Sequence, residues 1–151
     1  MEWLVSLISA LIGGIFTLIA SIFVYQRQNK AQSRQAASVL YYDLKSIEGY
    51  LKVERSSVNI RYFSEWQSIA AECSFLESDN VDLLYKIYDL VYDYDYHYRL
   101  REERGIVVKE EISQYDDLKR IMFEFSKEGL NTDKYSSEYR KLLEVLQKSQ
   151  K

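Results

Sequence analysis

The sequence predicts an all-α protein, in which a single N-terminal transmembrane helix is followed by a small cytoplasmic antiparallel bundle of about four to five helices. Three observations carry that prediction. Residues 3 to 25 hold no charge and are followed at once by Arg27, Lys30 and Arg34. The 151 residues include no proline. After residue 25 only Gly49, Gly105 and Gly129 punctuate the chain, so the turn chemistry of an all-β or loop-rich fold is missing. Apolar residues in that remainder recur at the three- and four-residue spacing of a helix face. The organisation reads as an anchor over 1–25, a juxtamembrane helix continuing it over 26–55, and one helical cytoplasmic domain over 56–151.

The anchor has the length that crossing requires. A hydrocarbon core of about 30 Å takes roughly 20 residues at about 1.5 Å each, and Trp3 to Tyr25 supplies 23. Thirteen of these are Leu, Ile, Val or Phe; at about −0.3 to −0.6 kcal/mol apiece on the insertion scale, they favour insertion by several kcal/mol. Trp3 and Tyr25 stand where the two interfaces fall. A cleaved signal is the poorer reading, because it begins with basic residues and has a shorter apolar core, whereas this chain begins Met1, Glu2, Trp3. With its nearby cations on the C-terminal side, the span is expected to place its N-terminus outside and residues 26 to 151 in the cytoplasm, at a bacterial inner membrane.

One face of the span is small. Ser9, Gly13, Thr17 and Ser21 recur every four residues, with Ser6, Ala10 and Gly14 beside them. Small residues at that spacing let two helices approach closely in lipid, so a homo-oligomer packed through Ser9, Gly13, Gly14, Thr17 and Ser21 is expected. The plain alternative is the ordinary abundance of small residues in membrane helices.

Beyond the span, Ala37, Leu40, Leu44, Ile47 and Leu51 extend the same helix to about Arg55, with a break near Ser56 and Ser57 and a loop or extended piece from Val58 to Phe63. Ser64 and Gln67 read as a capping box for a second helix bearing Trp66, Ile69, Ala70, Cys73 and Leu76. Ser78, Asp79 and Asn80 offer caps for a third, from about Val81 to Arg104, stopped by Gly105. A fourth is expected from about Lys109 to Glu128, with Ile112, Tyr115, Leu118, Met122 and Phe125 on one face and Gly129 at its end. Thr132 is the expected cap of a fifth, carrying Tyr139, Leu142, Leu143 and Leu146.

Charge is uneven. Residues 26–61 carry seven Lys or Arg against three acids, 62–98 one against eight, and 99–151 twelve against eleven. The basic end abuts the span. Arg27, Lys30 and Arg34 each gain about 1 kcal/mol beside anionic headgroups, yet three cations fall short of a lipid-recognition cluster, and topology suffices to explain them.

The strongest local bias is Tyr85 to Tyr98, which holds six of the fourteen tyrosines. On a helix, Leu83, Leu84, Ile87, Leu90, Val91, Tyr94 and Tyr98 face one way and Asp82, Lys86, Asp89, Asp93 and His97 the other. Tyr85, Tyr92 and Tyr96 fall on the border. Tyrosines beside acids suit a protein interface, which makes Tyr85, Asp89, Tyr92, Asp93 and Tyr96 the candidate partner surface; the bland reading is that the rings pad the rim of the domain's own core.

No catalytic, cofactor or metal site is expected. His97 is the single histidine and Cys73 the single cysteine, which rules out an intramolecular disulfide and a cysteine-based zinc cluster. Cys73 falls on an apolar face and reads as a small hydrophobe. Glu102, Glu103, Glu110 and Glu111 read as solvated helix surface. Basic stripes with interleaved aromatics are absent, so nucleic acid is not an expected partner, and there is no Gly-rich phosphate loop. The expectation is a non-enzymatic binding or regulatory module that holds an unidentified protein partner at the membrane. The alternative is a membrane-acting effector or toxin of a bacterial defence or phage-exclusion system, whose domain senses a trigger.

Overall fold

The computed structural model describes residues 2–53, 59–105, 109–127 and 129–151. Five helices make up most of them, interrupted by one β-hairpin, so the fold is predominantly helical rather than all-α.

Helix α1 (Glu2–Lys52) is continuous for 51 residues, about 77 Å at 1.5 Å per residue. Its two halves differ. The apolar residues from Leu11 to Tyr25 are exposed, while Ala36, Ala37, Leu40, Leu44, Ile47 and Leu51 are buried. The expected stripe is therefore the face on which the domain assembles. The expected break at Ser56 and Ser57, and Val58 after it, lie outside the described residues. Asn59 to Phe63 is irregular, with no strand. The Phe63 N–H donates to both carboxylate oxygens of Asp43 on α1, at 3.0 Å each.

Helix α2 (Trp66–Ala71) is one short piece, and the capping box is not formed: Glu65 is the N-cap and makes no side-chain cap bond. A tertiary contact sets its position instead, since the Trp66 ring stacks on Tyr88 at 4.6 Å. Helix α3 (Ser78–Arg104) starts three residues earlier than expected, because the Glu77 carbonyl receives the Asn80 and Val81 N–H groups. Ser78, Asp79 and Asn80 therefore form its first turn, where the Asp79 carboxylate meets the positive end of the helix dipole. Its stop is as expected: Gly105 lies at φ 66° and its N–H returns to the Arg101 carbonyl at 2.8 Å.

Helix α4 (Lys109–Met122) ends six residues short of Glu128, and β1 (Phe123–Ser126) pairs antiparallel with β2 (Gly129–Tyr135). Leu118, Met122 and Phe123 are buried, but Ile112 and Phe125 of the expected face are exposed. Burial of Phe123 directly after Met122 breaks the helical period and opens the strand. The register carries an irregularity between Phe123, opposite Tyr135, and Glu124, opposite Asn131. Thr132 consequently lies within β2 and caps nothing. Ser136 caps α5 (Ser137–Ser149), accepting from the Tyr139 N–H at 3.2 Å while its hydroxyl donates to the Ile121 carbonyl at 2.6 Å.

The core draws on every helix: Leu44 and Ile47 of α1, Trp66 of α2, Leu84, Ile87 and Val91 of α3, Leu118 and Met122 of α4, and Tyr139, Leu142 and Leu146 of α5. Cys73 joins it from the turns after α2.

Candidate functional site

On α3 the expected division of the helix holds with two additions and one shortfall, Leu90 being only partly buried. Leu83, Leu84, Ile87, Val91, Tyr94 and Tyr98 are buried, and Tyr88 and Asp95 are buried with them. Tyr88 is held twice, by stacking on Trp66 and by donating its hydroxyl to Asp43 Oδ2 at 2.6 Å. Burial and the neighbouring Asp43 charge push its ionisation far above the ordinary tyrosine range, so it acts as a neutral donor. The border tyrosines Tyr85, Tyr92 and Tyr96 are 44, 61 and 53% exposed, and Asp82, Asp89 and Asp93 beside them are exposed as well. Tyr85, Tyr92 and Tyr96 are not equivalent. Tyr85 meets the Trp66 ring edge-on at 4.7 Å, and Tyr96 meets His97 at 5.4 Å.

A second polar constellation went unread in the sequence. Glu48 of α1 is 3% exposed. Its Oε2 accepts from Lys45 at 2.6 Å, and its Oε1 accepts from Lys52 at 2.8 Å and from the Tyr135 hydroxyl at 2.9 Å. Lys45 also donates to the Tyr135 oxygen at 2.8 Å, closing a ring between α1 and β2. Burial alone would raise the Glu48 carboxyl, but the bonds from Lys45, Lys52 and Tyr135 outweigh it and leave the group below the usual carboxylate range. Burial likewise works to lower Lys45, and its bonds to Glu48 and Tyr135 more than offset that, leaving it raised. A lysine held protonated is a donor and not a nucleophile, so this cluster fastens the hairpin to α1.

His97 Nδ1 lies 2.9 Å from Gln114 Oε1, joining α3 to α4. Cys73 is buried, and burial, with Glu72 nearby, pushes its thiol up to about 11. Among the described residues no group of three His, Cys, Asp or Glu is arranged to hold a metal. Glu111, expected as solvated surface, is 4% exposed and paired with Arg101 at 2.8 Å. Glu102 and Glu103 are exposed as expected.

At the other end of the molecule, α1 is the one described helix long and apolar enough to cross a membrane. Within its apolar part Ser9, Gly13, Gly14, Thr17 and Ser21 are all exposed. The Thr17 hydroxyl donates to the Gly13 carbonyl at 2.9 Å and the Ser21 hydroxyl to the Thr17 carbonyl at 2.8 Å. Arg27, Lys30 and Arg34 line one groove along α1 with Phe23. Lys30 and Arg34 also line a cleft of about 770 Å³ whose opposite wall includes Ala71 at the end of α2, Glu72 and Phe75 after it, and Lys148 and Lys151 at the end of α5. Sequence spacing gives no hint of that meeting; the basic end of α5 is its only trace. No family model, curated protein or solved structure matches the chain.

Proposed function

We propose that the protein is a single-pass, membrane-anchored binding or regulatory module. Its α1 crosses the bilayer with the N-terminus outside, and the domain holds a protein partner at the cytoplasmic face through the outer side of α3. The observation that carries this reading is that three tyrosines and three aspartates stand exposed in adjacent rows on a helix whose opposite side fills the core. Tyr supplies contact area at small entropic cost and a hydroxyl for pairing, and the acids favour a partner with a basic surface. Self-association through the small face of the span would multiply such surfaces and raise avidity.

The test uses the full chain in membranes, with Tyr85, Tyr92 and Tyr96 replaced by Ser singly and together. A partner surface requires that crosslinking to one defined neighbour collapses in the triple variant while thermal stability falls only by the share due to Tyr85. A large fall in stability with crosslinking intact would reduce the rings to core padding.

A further inference from the structure

The fold completes a basic surface that the linear sequence leaves incomplete. Resting on the reading of α1 as a span, we infer that Arg27, Lys30 and Arg34 of α1, together with Lys148 and Lys151 of α5, form a collar that docks the membrane-proximal end of the domain onto anionic lipid headgroups.

Position argues for it first. Tyr25 marks the end of the apolar stretch, so Lys30 stands about 7.5 Å beyond the hydrocarbon and Arg34 about 13.5 Å, at about 1.5 Å per residue. The headgroup layer occupies roughly the first 5–8 Å outside the hydrocarbon on each side. Lys148 and Lys151 share a cleft with Asn29, Lys30, Ser33 and Arg34. They therefore lie near the level of Lys30 and Arg34, within about one Debye length, roughly 8 Å, of the outer edge of that layer.

Charge argues second. Among the described residues the five cations enter no ion pair, and Glu72 is the one acidic side chain lining the cleft. Elsewhere on the domain, buried carboxylates draw in their cations, as Glu48 does Lys45 and Lys52. Five unpaired cations around the membrane-proximal end of the domain reach the four-to-eight range in which juxtamembrane clusters recognise anionic lipid, whereas the three on α1 alone do not. The open cleft between α1 and the end of α5 gives a phosphate room to sit between the two groups of cations.

The experiment reconstitutes the full chain into vesicles of phosphatidylcholine alone or mixed with phosphatidylglycerol. It measures, by electron spin resonance, the preference of the protein for spin-labelled phosphatidylglycerol over spin-labelled phosphatidylcholine. A cation near the surface is worth about 1 kcal/mol, or about fivefold. With part of that screened at the outer edge, K148Q/K151Q is expected to cut the preference at least fivefold for the pair, and E72Q to increase it. All of these side chains are exposed or line an open cleft, and unfolding temperatures of the variants should match the parent. A preference that K148Q/K151Q leaves unchanged while R27Q/K30Q abolishes it would overturn the collar and leave the cations of α1 acting alone. Extraction of the protein from vesicles by alkaline carbonate would instead remove the span, and the collar with it.

Discussion

The Tyr135 hydroxyl donates to Glu48 Oε1 across 2.9 Å, joining the last residue of β2 to a buried carboxylate on α1. Lys45 and Lys52 complete the cluster, and their ammonium groups lie 5.2 and 5.6 Å from the centre of the Tyr135 ring. A hairpin of two short strands is marginal by itself. This one is held because its final tyrosine reaches a charge that needs a third partner.

That cluster sets a pH dependence. The Glu48 carboxyl titrates lower folded than unfolded, so its contribution is present above the ordinary Glu value of about 4.3 and is lost as pH falls through the lowered folded value. Lys45 is raised in the folded state, so its contribution is present below about 10.4 and lost as pH rises through the raised value. Glu48→Gln should cost on the order of 1–3 kcal/mol at pH 7 and should flatten the acid limb of stability. Chemical denaturation at several pH values measures both. An unchanged acid limb in Glu48→Gln would assign it to other carboxylates.

The hairpin is also where sequence reading fails, and the failure has a physical cause. Leu118, Met122 and Phe125 keep helical spacing, and Gly129 serves a turn as readily as a helix end. What decides the outcome is Phe123, whose burial and pairing opposite Tyr135 depend on residues of α1 far away in the chain. By contrast, Leu40, Leu44, Ile47 and Leu51 were legible because one helix face needs only local periodicity. The exposed tyrosines of α3 were legible for the same reason. Lys148 across the cleft from Lys30 was not, since nothing local brings the end of α5 against the middle of α1.

The three border tyrosines should separate on mutation. Tyr85 packs edge-on against Trp66, which is itself buried and stacked on Tyr88; Tyr85→Ser should cost about 1–2 kcal/mol, a lost aromatic pair plus some burial. Tyr92 is 61% exposed, and Tyr92→Ser should stay within about 0.5 kcal/mol. Unfolding midpoints of the two variants give the comparison. Equal costs would mean that the row acts as one packing unit.

Cys73 should be slow to react. With its thiol pushed up to about 11, only about one part in a thousand is thiolate at pH 8, against roughly a quarter for an ordinary cysteine near 8.5. Ellman's reagent should label the folded protein at least a hundredfold more slowly than the denatured chain. Comparable rates would show that the turns after α2 open readily. His97→Ala and Cys73→Ser should leave partner binding intact, with the serine costing some stability by placing a hydroxyl in the core.

Self-association through the span should depend on shape and not on hydroxyl bonding. Thr17 and Ser21 already spend their hydroxyl protons on the Gly13 and Thr17 carbonyls of their own helix, so neither has a proton left to give a second chain. What the face offers is closeness: a Cβ added at Gly13 or Gly14 meets nothing within 4 Å inside the chain, which leaves that space for a neighbouring helix. Gly13→Leu with Thr17→Leu should therefore weaken the oligomer while insertion persists, because bulky side chains hold the backbones apart. Thr17→Val, which keeps the shape and removes the hydroxyl, should leave association near its parent level. Crosslinking in membranes reads both variants on one gel. Loss of the oligomer in Thr17→Val would mean that the hydroxyl turns outward to bond across the interface, and an unchanged oligomer in the double leucine variant would move association off this face altogether.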